Sequence, residues 1–332
     1  MSRPLVLVTG GAGFIGSNIV AALTEAEYDV AVCDRLRDTD GGKWRNLYKH
    51  PIVDFVAPED LTAWLDGRGA GVETIIHMGA ISSTMEADAD LIVQTNFGLS
   101  RDLWDWAASH GRRLIYASSA ATYGDGAKGF SDADDYAALR ALRPLNAYGW
   151  SKALFDLYAR RETDRGHAPV QWAGLKFFNV YGPNEQHKGA MRSVACQKWP
   201  EAARGEAIKL FKSYREDIPH GGQMRDFVYV RDAVDVVLWL LAHPGVSGIY
   251  NLGSGRARSF RELIEALFRA ADKPLRVDYV DMPPGLRDRY QYYTQADMSR
   301  LRAAGYDRPF TTLEDGIADY VWLYLSQADP NR

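Results

Sequence analysis

Three glycines near the start of this 332-residue chain constrain its fold more than any other feature. Gly10, Gly13 and Gly16 follow an apolar strand pattern at residues 4–9 and open a helix pattern at residues 14–27. In this position they permit a tight turn, a close approach of the backbone to a pyrophosphate and close packing of helix on strand. The start of the helix also directs free N–H groups towards phosphates. The sequence therefore predicts a dinucleotide-binding site.

Strand and helix patterns alternate along the first half of the chain, which is typical of βαβ units and a parallel sheet. Predicted strands cover residues 4–9, 29–33, 52–56, 74–78, 114–118 and 170–178, and predicted helices cover residues 14–27, 89–109 and 147–165. Residues 184–222 are rich in charge, glycine and turns, so no regular element is predicted there. Further elements are predicted at residues 226–230, 232–242, 248–252, 260–271 and 312–325.

This alternation predicts an α/β chain with a Rossmann-type doubly wound parallel sheet and a smaller α/β C-terminal substrate lobe. The dinucleotide-binding domain is expected to comprise residues 1–180 and about 225–252. The substrate domain is expected to comprise residues 181–224 and about 253–332.

The composition excludes several other classes of protein. Lys and Arg number 39 against 43 Asp and Glu, so the formal charge is −4 and there is no basic excess for binding nucleic acid. The longest apolar run, residues 236–242, is too short to cross a membrane, and the N-terminus lacks the layout of a signal peptide. Cys33 and Cys196 are too few and too far apart for a disulfide framework, and the histidines are not at metal-ligand spacing. We therefore expect a soluble cytoplasmic enzyme or binding protein without a metal.

The identity of the dinucleotide depends on the residues after the second predicted strand. That strand ends at Asp34, 18 residues after Gly16, where a carboxylate can accept a hydrogen bond from the ribose 2′-hydroxyl of NAD. Arg35 and Lys43 follow, and such cations can hold the 2′-phosphate of NADP. The pattern favours NADP and leaves NAD as the alternative.

A tyrosine and a lysine share one face of the helix predicted at residues 147–165. Tyr148 and Lys152 are four residues apart, and a nearby ammonium favours the phenolate form of a tyrosine. Tyr148 can therefore exchange protons near neutral pH. The preceding strand leads into Ser118 and Ser119, which supply hydroxyl groups.

The glycine loop, a serine after the fifth strand and a Tyr-x-x-x-Lys helix together resemble the extended short-chain dehydrogenase/reductase family. The resemblance covers nearly the whole chain and implies a bound nicotinamide cofactor and a C-terminal lobe for a nucleotide-sugar. It implies that Tyr148 is the acid/base and that Lys152 contacts the nicotinamide ribose. It further implies that Ser119, preferred over Ser118, contacts the reacting oxygen.

Two features indicate the type of reaction within that family. Dehydratases usually place an Asp-Glu pair directly after this serine, whereas Ala120 and Ala121 follow Ser119 here, which implies epimerisation without dehydration. A regulator that keeps the fold without catalysis typically loses the tyrosine or the lysine, and this chain has both.

Several stretches resemble the branch of the family that inverts C6 of the heptose in ADP-heptose. They are residues 79–84, 116–124, 177–183, 187–191, 224–230, 289–291 and 294–297. The stretch at 187–191 distinguishes this branch from general sugar epimerases, and it implies that Lys188 is a second acid/base. The implied reaction converts ADP-D-glycero-D-manno-heptose to its L-glycero epimer, a precursor of the lipopolysaccharide core, by transient oxidation to a 6-keto intermediate with tightly bound NADP. Another nucleotide-sugar epimerase, such as a UDP-sugar 4-epimerase, is the alternative.

The resemblance also implies two sets of binding residues. Those expected at the cofactor are Gly10, Gly13, Phe14, Ile15, Gly16, Asp34, Arg35, Lys43, Met78, Gly79, Ala80, Ile81, Ser82, Asn96, Lys152, Val180 and Lys188. Those expected at the substrate are Asn179, Ala190, Gln197, Phe211, Lys212, Ser213, Tyr214, Arg225 and Tyr290. Gln197 stands where some members have a substrate-contacting histidine, and Pro58 stands where the family can place a lysine near the cofactor. The resemblance implies a homo-oligomer, namely a pentamer.

Overall fold

A computed structural model describes residues 3–37, 42–84, 86–287 and 290–332. Its strands are β1 (Leu5–Thr9), β2 (Asp29–Cys33), β3 (Asp54–Val56), β4 (Val72–His77), β5 (Arg113–Ser119), β6 (Gln171–Phe177), β7 (Asn179–Tyr181), β8 (Ile208–Phe211), β9 (Met224–Tyr229), β10 (Gly248–Leu252), β11 (Ala257–Ser259) and β12 (Val277–Val280). In the described part of the chain, seven of these form one parallel sheet in the order β3-β2-β1-β4-β5-β6-β10. Chain order reverses between β1 and β4, which confirms the predicted doubly wound fold.

The helices largely follow the predicted patterns. They are α1 (Phe14–Glu25), α2 (Leu61–Asp66), α3 (Ala89–Ile92), α4 (Leu99–Ser109), α5 (Tyr136–Ala141), α6 (Ala147–Asp164), α7 (Val194–Arg204), α8 (Val230–Ala242), α9 (Phe260–Ala270), α10 (Pro284–Arg287), α11 (Ser299–Ala303) and α12 (Leu313–Tyr320). A π-helical turn at Val93–Gly98 joins α3 to α4, so the single helix predicted at 89–109 is interrupted in its middle. Within the described ranges, no helix combines the length and apolar character needed to cross a membrane.

The central sheet is buried on both faces, because helices cover each side. Successive side chains of a strand point to opposite faces, so Val6 and Val8 pack with Trp239 of α8, whereas Leu7 packs with Trp104 of α4. A further apolar cluster joins α7, α9 and α12 to β8 and β9, and Phe14 at the start of α1 packs into it. The glycine loop therefore lies where the central sheet meets this second group of elements.

The expectation that residues 184–222 contain no regular element is wrong. This stretch contains α7 and β8, which pack against α9. Helix α7 buries small residues such as Ala195 and Ala202, and Pro200 lies inside it, where a proline argues against a helix. Strand β8 has only four residues, and its partner β12 lies about seventy residues further along the chain. Neither element leaves a strong local pattern.

The remaining strands form small sheets beside the central one. Strand β9 pairs with β7 and β11, while β8 pairs with β12. Strand β10 joins the central sheet, and α8 packs against α1. The division into two domains at the boundaries given above stays a prediction.

Candidate active site

A cavity of about 720 Å³ opens at the carboxyl ends of β1, β4, β5 and β6. Ligands of doubly wound sheets bind at this edge, beside the point where strand order reverses. The cavity is lined by the glycine loop and residues 78–83. The loop before α7 and residues of α9 also line it.

The glycine loop packs so closely on neighbouring backbone that a side chain would not fit at two of its glycines. Gly10 has a φ of +65°, and a Cβ atom there would lie 2.6 Å from the backbone nitrogen of Gly79. A Cβ atom on Gly16 would lie 2.1 Å from the carbonyl oxygen of Gly10. Gly13 precedes α1 without a side-chain cap, so the first turn of the helix offers amides to a ligand.

The carboxylate of Asp34 is held at the end of β2. Its Oδ2 accepts a hydrogen bond from the amide of Ala12 at 2.8 Å, which ties it to the glycine loop. Its Oδ1 accepts from the ammonium of Lys43 at 2.6 Å and from the amide of Arg35 at 2.6 Å. The guanidinium of Arg35 instead pairs with Glu59 at 2.9 Å on the exposed surface. Lys43 thus lines the cavity, and Arg35 does not.

Tyr148 and Lys152 lie in the first turns of α6 and both line the cavity. Asn146 caps this helix by accepting from the amide of Gly149 at 2.8 Å. A Cβ atom on Gly149 would lie 2.7 Å from the carbonyl oxygen of Ala121, so the start of α6 packs tightly on the turn that follows β5. This close packing brings Tyr148 next to the end of β5.

The phenol of Tyr148 lies beside the hydroxyl of Ser119. Burial raises the pKa of Tyr148, and the neighbouring Ser119 hydroxyl acts in the opposite direction. Burial lowers the pKa of Lys152 to about 8, which the negative charge of Asp156 partly opposes. Burial therefore moves the proton affinities of this phenol and this ammonium apart, and the phenol is the weaker acid of the two.

Ser118 and Ser119 have different surroundings. The hydroxyl of Ser118 donates to Oδ2 of Asp156 at 2.8 Å within a buried network. Ser119 accepts from the amide of Ala121 at 3.1 Å and faces Tyr148. The structure places Ser119, rather than Ser118, beside the tyrosine.

Lys188 lines the same cavity from a different part of the chain. It lies in the 3₁₀ turns at Gln186–Met191, and its ammonium is 5.1 Å from the centre of the Phe14 ring at the start of α1. Burial lowers the pKa of Lys188, and the charges of Glu185 and Cys196 oppose that effect. Lys188 and Tyr148 thus reach one cavity from different elements.

Most residues predicted at the cofactor line this cavity, and a few do not. Lining positions are Gly10, Gly13, Phe14, Ile15, Gly16, Asp34, Lys43, Met78, Gly79, Ala80, Ile81, Ser82, Lys152, Val180 and Lys188. Asn96 lies behind them and is fully buried. Its side chain exchanges two hydrogen bonds with the backbone of Ile81, at 2.8 and 3.0 Å, and donates to Ser151 at 3.1 Å. Asn96 therefore supports the segment at residues 78–82.

The residues predicted at the substrate divide into two groups. Asn179 lines the cavity, and Gln197 donates to the carbonyl oxygens of Ala190 and Arg192, at 3.2 and 2.7 Å, beside the Lys188 loop. The second group lies around β8 and β9, outside the lining of the cavity, and comprises Phe211, Lys212, Ser213, Tyr214, Arg225 and Tyr290. Arg289, in one of the stretches that carried the resemblance, lies outside the described residues.

Arg225 is the centre of this second group. Its guanidinium lies 5.6 Å from the ring centre of Phe260 and 5.4 Å from that of Tyr290. Burial lowers the pKa of Arg225, and Phe260 also lines the cavity. The group is therefore adjacent to the cavity and presents a half-buried cation near two aromatic rings.

A family model for the NAD dependent epimerase/dehydratase family matches residues 6–253. This chain belongs to that family. Membership of this family agrees with the family resemblance seen in the sequence and with the close packing of the glycine loop.

Individual members of this family are similar to this chain over nearly its whole length. The chain is 48% identical to an ADP-L-glycero-D-manno-heptose-6-epimerase of Nitratidesulfovibrio vulgaris, over 98% of this chain and 100% of that protein. It is 44% identical to the protein of the same name in Fusobacterium nucleatum, over 98% of this chain and 99% of that one. The crystal structure of the Helicobacter pylori ADP-L-glycero-D-manno-heptose-6-epimerase superposes with a TM-score of 0.77 at 28% identity, covering 96% of each chain.

The residues of this family member fit a nicotinamide dinucleotide. The first turn of α1 after Gly13 offers uncapped amides to a pyrophosphate, and Asp34 lies at the end of β2, where a ribose is expected. The cavity extends from the glycine loop to Tyr148 and Lys152.

Part of the cavity lining was not predicted from the sequence. The residues not predicted there are Ser83, Ala117, Phe177, Phe178, Tyr181, His187, Met191, Arg192, Ser193, Val194, Phe227, Phe260 and Leu263. Several are neighbours of predicted residues in the stretches at 177–183 and 187–191, so their positions carried a signal. Phe260 and Leu263 come from α9, about eighty residues after Val180, and no local pattern indicates that they reach the cavity.

Proposed function

We propose that this chain inverts C6 of ADP-D-glycero-D-manno-heptose to give ADP-L-glycero-D-manno-heptose, a precursor of the lipopolysaccharide core. The observation that carries this proposal is one cavity with two proton-transfer groups, Tyr148 on α6 and Lys188 on the loop before α7. The names of the relatives at 44% and 48% identity support the choice of substrate.

Two proton-transfer groups suit an inversion that passes through a ketone. When bound, a nicotinamide dinucleotide supplies a reversible hydride acceptor. Oxidation of the C6 alcohol releases the hydroxyl proton, and reduction of the ketone from its other face returns one to the oxygen. Because the oxygen is presented differently in the two epimers, Tyr148 exchanges the proton in one and Lys188 in the other. Ser119 orients the oxygen at Tyr148, and Lys152 holds the nicotinamide ribose.

The proposed cofactor is NADP. The ammonium of Lys43 lines the cavity beside Asp34, at the end of the strand where a ribose is expected. A 2′-phosphate offers Lys43 and Arg35 a charge-assisted contact in exchange for their present carboxylate partners. NAD is the alternative, since Asp34 can accept a hydrogen bond from a ribose hydroxyl.

The proposed nucleotide site is the group around Arg225. A guanidinium binds a diphosphate through paired hydrogen bonds, and Phe211 and Tyr290 offer aromatic surface to the nucleoside. Lys212, Ser213 and Tyr214 lie on the segment after β8, next to this group. Asn179, Ala190 and Gln197 are then placed nearer to the sugar. The composition favours the cytoplasm as the proposed setting, and the resemblance implies a homo-oligomer, a pentamer, as the proposed assembly.

The experiment that tests the function is direct conversion. Purified protein is incubated with ADP-D-glycero-D-manno-heptose, and the configuration at C6 is determined by NMR. The proposal expects the L-glycero epimer to accumulate to equilibrium. Conversion of UDP-glucose to UDP-galactose in a parallel reaction, with no change in the heptose, would contradict it.

A further inference from the structure

Glu185 is a buried carboxylate that the mechanism above does not use. It is 0% exposed and lies three residues before Lys188 and four residues after the end of β7. Its side chain accepts hydrogen bonds from the hydroxyl of Ser193 at 2.6 Å and from the phenol of Tyr320 at 3.1 Å. It also accepts a short hydrogen bond from the backbone amide of Ser193. A buried carboxylate with this many donors is held in one position.

These contacts fasten both ends of the loop that carries Lys188. At one end, the amide of Lys188 donates to the carbonyl oxygen of Glu185 at 3.0 Å. At the other end, the Glu185 side chain binds Ser193, which caps α7 by accepting from the amide of Cys196. Tyr320 adds a third attachment, from α12. Residues 186–192 are thus closed into a loop by one side chain.

Charge links the same two residues. Burial raises the pKa of Glu185, and the ammonium of Lys188 opposes that shift. Other titratable or charged groups facing the pair are Cys196 on α7, Tyr320 on α12 and Arg192 on the loop, which interacts with Cys196. On the cavity side, the Lys188 ammonium faces the ring of Phe14, which carries no charge. The Glu185 carboxylate therefore stabilises an ammonium that burial disfavours.

We propose that Glu185 is a positioning residue for Lys188, which fastens the Lys188 loop and supplies the negative charge that stabilises its ammonium in the cavity. The part played by Lys188 as second acid/base rests on the proposed function. The fastening and the charge pairing do not, so they can be tested without a substrate.

The charge is tested with Glu185→Gln, which keeps the size of the side chain and an acceptor oxygen. Competitive acetylation with acetic anhydride across a range of pH, followed by mass spectrometry, gives the pH midpoint for labelling of each lysine. Loss of the carboxylate favours the neutral amine, so the Lys188 midpoint shifts to lower pH. An unchanged midpoint in folded Glu185→Gln protein would overturn this half of the proposal.

The matched control is Asp232→Asn. Asp232 is also a buried carboxylate that accepts from the amide and the hydroxyl of one residue, Thr311, and it is not part of the cavity lining. This substitution leaves the Lys188 midpoint unchanged. Glu185→Asp keeps the charge on a shorter side chain, so its midpoint stays closer to that of the wild type than the midpoint of Glu185→Gln does.

The fastening is tested with Ser193→Ala, which keeps the charge of Glu185 and removes one of its donors. Amide hydrogen exchange at residues 186–192 becomes faster in this variant, while Asp232→Asn leaves it unchanged. Equal exchange in Ser193→Ala and the wild type would overturn the fastening, even where Glu185→Gln fails to fold.

Activity measurements distinguish a failure of this inference from a failure of the proposed function. Suppose that the wild type inverts C6. One limb of the pH profile of kcat then reports the ionisation of Lys188, and in Glu185→Gln this limb moves to lower pH with little change in KM. If the wild type does not invert C6, the proposed function fails, and acetylation still decides the charge pairing. Wild-type profiles in both measurements for Glu185→Gln would show that Glu185 has no such role.

Discussion

The ammonium of Lys176 lies 2.6 Å from a carboxylate oxygen of Asp156, and both side chains are exposed by 1% or less. Asp156 is one helical turn beyond Lys152 on α6 and also accepts from Ser118 and Tyr116. Lys176 on β6 also donates to the hydroxyl of Thr122 at 2.8 Å. One buried network therefore connects β5, β6 and α6 beneath the residues proposed for catalysis.

Breaking this pair from one side should destabilise the fold. Lys176→Met leaves the charge of Asp156 buried without its main partner, so we expect a loss of about 3–5 kcal/mol in the free energy of unfolding measured with urea. The double variant Asp156→Asn/Lys176→Met removes both charges and recovers much of that loss. A single variant as stable as the wild type would show that the pair is not a significant part of the core.

Adding one methyl group to the glycine loop should weaken cofactor binding. Gly10→Ala must adopt a φ of +65° and place its Cβ atom 2.6 Å from the backbone of Gly79. The strained backbone alone costs about 1–2 kcal/mol, so we expect about five- to thirty-fold weaker binding in fluorescence titrations. Gly71→Ala is the control, because its Cβ atom would meet nothing within 4 Å. Equal cofactor affinity in the two variants would contradict the assignment of the glycine loop as the cofactor site.

The cations near Asp34 should distinguish the two dinucleotides. Lys43→Ala and Arg35→Ala remove groups that can bind a 2′-phosphate, so we expect NADP affinity to fall about ten-fold or more while NAD affinity changes little. Arg45→Ala is the control, since Arg45 is exposed and outside the cavity lining. If the affinities for NADP and NAD fall equally, or if neither changes, these cations do not bind the 2′-phosphate. NAD then becomes the assigned cofactor.

The two proposed proton-transfer groups should each be required for turnover. Tyr148→Phe and Lys188→Met are expected to lower kcat by about 10²- to 10⁴-fold. The bound cofactor should remain, which absorbance of the denatured protein can measure. Lys209→Met on β8 is the matched control, because Lys209 is exposed and outside the cavity lining. Full activity of the Lys188 variant would remove the second base from the mechanism.

The sequence predicted the central sheet well because its strands are buried on both faces and read as apolar runs. All seven residues of β6 are buried, and β2 and β10 begin and end at the predicted residues. The glycine loop and the Tyr148–Lys152 spacing were also visible, because each depends on a short stretch of chain. Their roles at the site stay predictions.

The contacts that complete the site could not be predicted, because they join residues far apart in sequence. Glu185 lies in a stretch that looked irregular, and its burial depends on Tyr320, 135 residues later. Arg35 was expected at the cofactor, but its guanidinium pairs with Glu59, 24 residues later. No periodicity in either stretch indicates these partners.

The central claim is that C6 is inverted by removal and return of its own hydrogen. The most direct measurement is to run the reaction to equilibrium in heavy water and locate deuterium in the product by NMR. The hydrogen that leaves C6 is held within the enzyme, away from solvent, so the account predicts an L-glycero product with no deuterium at C6. Stoichiometric deuterium at C6 would contradict direct hydride removal, and deuterium at C5 or C4 would indicate oxidation of a ring carbon instead.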